Sequence, residues 1–262
     1  MKTKEYSLFT AITMIVGTVI GSGIFFKSDN ILVYTNGDIV KGILVFTLAA
    51  VGIVFGSLTI SVLAAKTKNP GGLITYADEF SGHKTACAFG WFQVFVYYPS
   101  LIAVVAGVAG VYMSMLYGFE STPETVLAIS LGFIVFFFGM NILSGKLGGY
   151  FQNAATVKLI PLFLIAVSGF IFGDVNTAFN EAPKAASSFG WLAALAPIAF
   201  SYDGWVVSTS IAHEIKNSKR NLPIALVVGP IFVLAVYILY FVGICVLVGP
   251  QEILTLGDAH VN

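Results

Sequence analysis

Gly21-Ser22-Gly23-Ile24-Phe25 interrupts an apolar run that extends over residues 7–26. A membrane span needs about 20 mainly apolar residues, so this run is long enough to cross a bilayer. Glycine inside a helix costs ~1 kcal/mol relative to alanine. Irregular backbone at membrane depth is tolerated only where protein buries it or it lines a wet cavity. How this stretch is read therefore decides the architecture. Either Gly17 and Gly21 form a small-residue surface for helix packing, or the helix unwinds and its backbone itself becomes the working group.

Composition places the stretch in a membrane protein. The chain has 262 residues, 57% hydrophobic and 10% charged, with a mean hydropathy of +0.90. A soluble domain carries about a quarter charged residues, so this chain cannot cover its surface in water and its natural partner is the lipid bilayer. Formal net charge is zero, so nothing favours nucleic acid as a partner. Apolar runs fall at about 7–26, 42–65, 87–117, 125–143, 155–173, 190–212 and 226–248, which predicts seven spans. The first is too long for the apolar region of a cleavable signal. The third contains Pro99 and is expected to bend. Cys87 and Cys245 lie in or beside spans and read as packing residues.

Placing the N-terminus in the cytoplasm puts ten Lys and Arg residues on the inside segments and three, Lys27, Lys41 and Lys184, outside. The positive-inside rule then predicts that orientation. It argues against seven-helix receptors and retinal proteins, which run the other way, and residues 225–249 lack the lysine a retinal Schiff base needs.

One other span is interrupted like the first. The sixth contains Pro197 and then Phe200-Ser201-Tyr202-Asp203-Gly204-Trp205. Two broken helices five spans apart are the pattern of inverted-repeat transporters, whose substrate site forms where discontinuous helices meet. Unwinding at Gly21-Ser22-Gly23 would expose helix N-terminal N–H groups suited to a carboxylate, with Ser22 adding a hydroxyl. Carbonyls ending the preceding half-helix suit an ammonium group. One break can thus hold both ends of a zwitterion.

Asp203 is the only carboxylate inside any of the seven runs. It could recognise a substrate amine, carry a proton, or tie the break together by accepting backbone N–H bonds. Lys158 opens the fifth span, either as a snorkelling interfacial lysine or as an internal ammonium in a cation position. Phe200, Tyr202 and Trp205 surround the second break and suit a gate as well as a core. His83, His213 and His260 are scattered, so no metal site is expected. No nucleophile triad or phosphate loop is visible; the chain does not read as an enzyme and no cofactor is expected.

These features resemble the amino acid–polyamine–organocation transporter superfamily, in its L-amino acid transporter-like branch. The resemblance rests on Val16-Gly17-Thr18-Val19-Ile20-Gly21-Ser22-Gly23-Ile24-Phe25, Asn69-Pro70-Gly71-Gly72 with Tyr76, and Gln152-Asn153 with Lys158-Leu159-Ile160-Pro161. Phe200 to Trp205 and Glu214-Ile215-Lys216-Asn217-Ser218-Lys219-Arg220-Asn221-Leu222-Pro223 complete it. It implies an all-α integral membrane protein of the LeuT-type inverted-repeat fold, with the substrate carboxylate on Gly21, Ser22 and Gly23. It also implies that carbonyls around Val19 and Ile20, and near Phe200, Ser201 and Asp203, take the α-amino group. Phe200 resembles the family's aromatic gate, with Tyr202 beside it, and Lys158 resembles a lysine that stands in for sodium. Some members carry glycine where Asp203 stands.

The expected architecture is a single transmembrane domain over 1–262, with a first five-helix repeat over about 1–185 and the start of a second over about 186–262. That is about seven of twelve helices, so the fold is expected to be incomplete and the chain to look like a truncated gene or fragment. The expected function is sodium-independent secondary transport of neutral L-amino acids across the plasma membrane, by exchange or proton coupling. The alternative is a non-transporting fragment or a partner subunit of a split transporter.

Overall fold

The computed structural model describes residues 6–25, 28–67, 71–143, 157, 159–180, 189–206, 209 and 215–256. In chain order the helices are α1 (Leu8–Val19), α2 (Ser28–Thr35), α3 (Ile39–Lys66), α4 (Leu73–Ser81), α5 (His83–Phe92), α6 (Tyr98–Leu116) and α7 (Pro123–Leu143). After them come α8 (Leu159–Phe172), α9 (Val175–Asn180), α10 (Leu195–Ser201), α11 (Ser218–Val248) and α12 (Pro250–Leu256). Short 3-10 segments occupy Ser22–Ile24 and Phe189–Ala194, and a π-helical stretch, Gln93–Tyr97, joins α5 to α6. Among the described residues there is no strand, only an isolated bridge between Tyr6 and Ile215.

Each of the seven apolar runs contains a helix among its described residues. Among the described residues, four helices are long and apolar enough to cross a membrane alone: Ile39–Lys66, His83–Leu116, Pro123–Leu143 and Ser218–Val248. Leu8–Val19, Leu159–Phe172 and Gly190–Ser201 are shorter apolar helices. The first and sixth runs are therefore not continuous spans but broken ones. The third run behaves as its proline requires. Pro99 has no N–H to give, and its ring crowds the preceding turn. The helix accommodates it by widening: the N–H of Tyr98 reaches back five residues to the Gln93 carbonyl, a π-bulge rather than a sharp kink.

The chain packs as two compact units, Met1–Tyr76 with Val157–Val261, and Ala77–Thr156. The second is built on α6 against α7. Ser130 Oγ donates to the Ala106 carbonyl at 2.9 Å, and a Cβ on Gly110 would lie 2.5 Å from Ser130 Oγ. Large apolar side chains such as Val135, Phe136 and Phe138 stay exposed on α7, the surface a lipid environment covers. Cys87 of α5 is also exposed, not packed as its sequence suggested; Cys245 is buried.

In the first unit α11 is the central post, packed against α1, α3 and α8. Its middle is closed on nearly every side, with Tyr237, Tyr240, Phe241 and Cys245 wholly buried. Helices in lipid gain little from the hydrophobic effect on meeting, so close van der Waals contact must hold them together. The α8–α11 seam provides that contact through small residues. Gly169 lies against the Gly243 backbone, Gly173 against Val246, and a Cβ on Gly243 would lie 2.5 Å from Ala166 Cα.

Helix starts follow local chemistry. Ser7 caps α1, accepting the Thr10 N–H at 3.1 Å, and Asp38 caps α3, accepting the Lys41 N–H at 3.0 Å. Such caps satisfy N–H groups that the first turn leaves without helical partners.

Candidate functional site

The first break begins at Ile20, whose N–H still bonds the Val16 carbonyl at 2.9 Å. Its ψ of 99° then turns the chain out of the helix. Gly21 bends, and Ser22–Ile24 make a single 3-10 turn. Val19, Ile20, Gly23 and Ile24 are buried here, so the interruption lies inside protein, as irregular backbone in a membrane must.

The second break follows Ser201. Tyr202 and Asp203 close the last turn of α10 with N–H bonds to Ala199 and Phe200, at 3.2 Å and 3.1 Å. Gly204 then takes φ +101°, a region open to glycine and costly for other residues. Asp203 Oδ1 accepts the Gly204 N–H at 2.8 Å. The carboxylate thus meets the backbone N–H of the residue that makes the break.

The two breaks touch. A Cβ on Gly23 would lie 3.2 Å from Ser201 Oγ and 3.3 Å from Ser201 Cα. A Cβ on Gly204 would lie 3.1 Å from the Thr18 carbonyl oxygen, and Thr18 Oγ1 is 3.4 Å from the Gly204 carbonyl. Missing side chains on both strands of the contact are therefore what lets backbone meet backbone.

Tyr237 of α11 joins them. Its hydroxyl lies 2.7 Å from the Ser201 carbonyl and 3.2 Å from the Val19 carbonyl. One O–H thus addresses the carbonyl ends of both half-helices, with the shorter bond to Ser201. Tyr202 is wholly buried, its ring 5.2 Å from that of Tyr237 and its hydroxyl 3.4 Å from the Phe46 carbonyl. Phe200 is half-buried on the turn before it. Further along, the Tyr76 hydroxyl donates to the Thr209 carbonyl at 3.3 Å, and the Lys216 N–H donates to Tyr6 at 2.9 Å. The first bond ties α4 to Thr209 beyond the second break, and the second fastens the start of α1 to the segment ahead of α11.

Val19, Ile20, Gly21, Gly23, Phe200, Ser201, Tyr202 and Asp203 all lie at the paired breaks, and so does the backbone of Ser22. The Ser22 side chain and Lys158 lie outside the described residues. Tyr237 was missed. The available signal was a tyrosine in the middle of an otherwise apolar helix, since a buried hydroxyl needs a partner. Among the described residues, no group of three or more His, Cys, Asp or Glu could hold a metal ion.

Removing the Tyr237 hydroxyl leaves the buried Ser201 carbonyl without its donor, a loss of about 1–3 kcal/mol. Tyr237→Phe is expected to fold and to bind substrate about tenfold more weakly, measured by saturation binding. Unchanged affinity would remove Tyr237 from the site.

Discontinuous apolar helices in backbone contact, braced by a third helix, are the arrangement that membrane transporters of the broken-helix class use. The chain belongs to the amino acid permease family, whose model matches residues 6–261. It is 34% identical over 258 residues to the serine/threonine exchanger SteT of Bacillus subtilis (strain 168), covering 97% of this chain and 58% of that protein. It is 32% identical over 271 residues to the b(0,+)-type amino acid transporter 1 of Mus musculus, covering 97% and 55%. The Asc-type amino acid transporter 1 of Homo sapiens is 26% identical over 269 residues, covering 99% and 51%. The chain therefore spans about half the length of the curated relatives it matches. Membership makes it a multi-pass membrane protein of an amino acid transport family, with an incomplete LeuT-type helical fold, and not an enzyme.

Proposed function

We propose that this chain forms the substrate-binding half of a secondary transporter for neutral L-amino acids, working by sodium-independent exchange or by proton coupling. The observation that carries this reading is the contact between Gly23 and Ser201, with Tyr237 reaching both half-helices. Substrate carboxylate would sit on the N–H groups of Gly21, Ser22 and Gly23. The α-ammonium would face the carbonyls of Val19, Ile20, Phe200, Ser201 and Asp203, two of which Tyr237 addresses. Phe200 and Tyr202 would close over the substrate, and rocking of the broken helices would alternate access. A relative named as a serine/threonine exchanger favours small hydroxylated substrates and exchange. The N-terminus is placed in the cytoplasm and the protein in the plasma membrane. The five-helix repeat is assigned to about 1–185 and the start of the second to about 186–262.

The test is uptake of labelled neutral L-amino acids into proteoliposomes preloaded or not with unlabelled amino acid, at varied sodium and pH. Trans-stimulated, sodium-independent uptake supports the reading. Absence of both saturable binding and uptake favours the second reading, a non-transporting fragment or one subunit of a split transporter. That second reading is supported by the chain spanning about half of its relatives' length.

Lys158 is assigned the role of an internal ammonium in place of sodium. Lys158→Ala is then expected to reduce uptake at least about tenfold, or ~1.4 kcal/mol, and uptake by the unmodified protein is expected to need no sodium. A strong sodium requirement in the unmodified protein would overturn the assignment.

A further inference from the structure

Exposed cations gather at one end of the α3–α11 pair. Phe46 of α3 lies against Tyr237 and Phe241 of α11, with ring centroids 6.0 Å and 5.4 Å away. A Cβ on Gly42, one turn earlier, would lie 2.5 Å from the Phe241 ring. The two helices therefore run antiparallel. Lys66 stands twenty residues beyond Phe46 and Asn217 twenty before Tyr237, a rise of about 30 Å along either helix. The end of α3 and the start of α11 thus reach the same membrane face. Lys66, Lys216, Lys219 and Arg220 are all exposed there.

Local stability does not account for this cluster. The start of a helix is the positive end of its dipole, which favours acids and disfavours cations. The first turn of α11 holds no acid and carries Lys219 and Arg220 instead. Lys216, Lys219 and Arg220 fall within five residues and repel one another. Among the described residues the ion pairs are Lys41 with Asp38 and His83 with Asp78, so no described acid neutralises any of the four. Both helices are long and apolar enough to span, which sets their polar ends at the depth of phospholipid headgroups.

We infer that Lys66, Lys216, Lys219 and Arg220 form a docking surface for the headgroups of anionic phospholipids. A phosphodiester accepts hydrogen bonds from ammonium groups and, in bidentate fashion, from a guanidinium. Clusters of Lys and Arg beside a span attract lipid of net negative charge. A zwitterionic headgroup offers the same phosphate, but its own cation cancels the attraction. The Lys216 N–H donates to Tyr6 at 2.9 Å, so a lipid held here lies beside the clasp on the segment leading into the first broken helix. Any influence on transport rests on the proposed function; the lipid contact does not.

The experiment reconstitutes the purified chain in phosphatidylcholine bilayers containing spin-labelled phosphatidylglycerol or spin-labelled phosphatidylcholine. Electron spin resonance reads the share of each label that the protein immobilises. The expected selectivity for phosphatidylglycerol is at least about twofold averaged over the lipid shell, only part of which faces the four cations. Lys66→Gln, Lys216→Gln, Lys219→Gln and Arg220→Gln combined are expected to abolish it. Lys84→Gln, at an exposed lysine of α5, is expected to leave it intact. Raising salt from about 0.1 M to ~1 M shortens the screening length from about 10 Å to ~3 Å. It should remove most of the selectivity in the unmodified chain, a reading that no variant's folding affects. Equal immobilisation of the two lipids by the unmodified chain overturns the proposal. So does selectivity that survives high salt or the combined variant, or that Lys84→Gln loses equally. Displacement of labelled phosphatidylglycerol by inorganic phosphate at constant ionic strength would make the ligand a soluble anion and overturn it too. Failed uptake with intact lipid selectivity would count against the transporter reading and leave this surface standing.

Discussion

Gly23→Leu is expected to lower substrate affinity at least about a hundredfold, or ~3 kcal/mol, in saturation binding of labelled L-serine. The reason is contact, not flexibility. The first added carbon already meets Ser201 Oγ at 3.2 Å and Ser201 Cα at 3.3 Å, and leucine brings three more. Ser201 lies on the second break, so relieving the clash means driving the two breaks apart. Overpacking a close contact costs about 1–3 kcal/mol in stability; the loss of binding should exceed this, because the separated backbones are the proposed ligand groups. Gly17→Leu is the matched control on the same helix, since a Cβ there has nothing within 4 Å. It is expected to bind normally. Equal losses in the two variants would mean that α1 merely dislikes bulk, and normal binding by Gly23→Leu would remove the first break from the site.

The other large effect concerns assembly. Gly243→Leu is expected to cut the yield of monodisperse protein at least about fivefold by fluorescence size-exclusion, or ~1 kcal/mol in the folding balance as a lower bound. Its Cβ would stand 2.5 Å from Ala166 Cα and 3.2 Å from the Ala166 carbonyl oxygen. That is backbone, which cannot swing aside as a flexible side chain can, so α8 and α11 must separate. Gly132→Leu on α7 adds the same bulk where a Cβ has nothing within 4 Å and is expected to leave the yield unchanged. If both variants behave alike, the α8–α11 seam is not what holds α11 in place.

Much of this was legible before any coordinates. Helices lie at all seven apolar runs because bilayer thickness sets run length directly. The first break was visible because glycine clusters are costly in a span unless backbone is put to use. The second was visible because Pro197 and Asp203-Gly204 sit where an uninterrupted span would not place them. What escaped depends on partners remote in sequence. Tyr237 acts on carbonyls 36 and 218 residues away, and no local pattern shows such a bond. Residues 27–41 fell between the first two predicted spans, yet α2 forms within them and tertiary packing buries its polar Ser28 and Asp29. The Pro99 bend was foreseeable, but not its form, since a π-bulge and a kink both answer a missing N–H.

Helical breaks of this kind turn a stability cost into recognition. The account requires that substrate touch backbone, and one peptide reports on this without ambiguity. Ile20–Gly21 is the only Ile–Gly pair in the sequence, so 13C-carbonyl isoleucine with 15N-glycine labels a single amide within the first break. Nuclear magnetic resonance of that amide, in the purified chain titrated with 13C-carboxyl L-serine, is the direct measurement. The account predicts a saturable shift of the Gly21 amide and a dipolar coupling between its nitrogen and the serine carboxylate carbon. Saturable serine binding that leaves the Gly21 amide unmoved would contradict it.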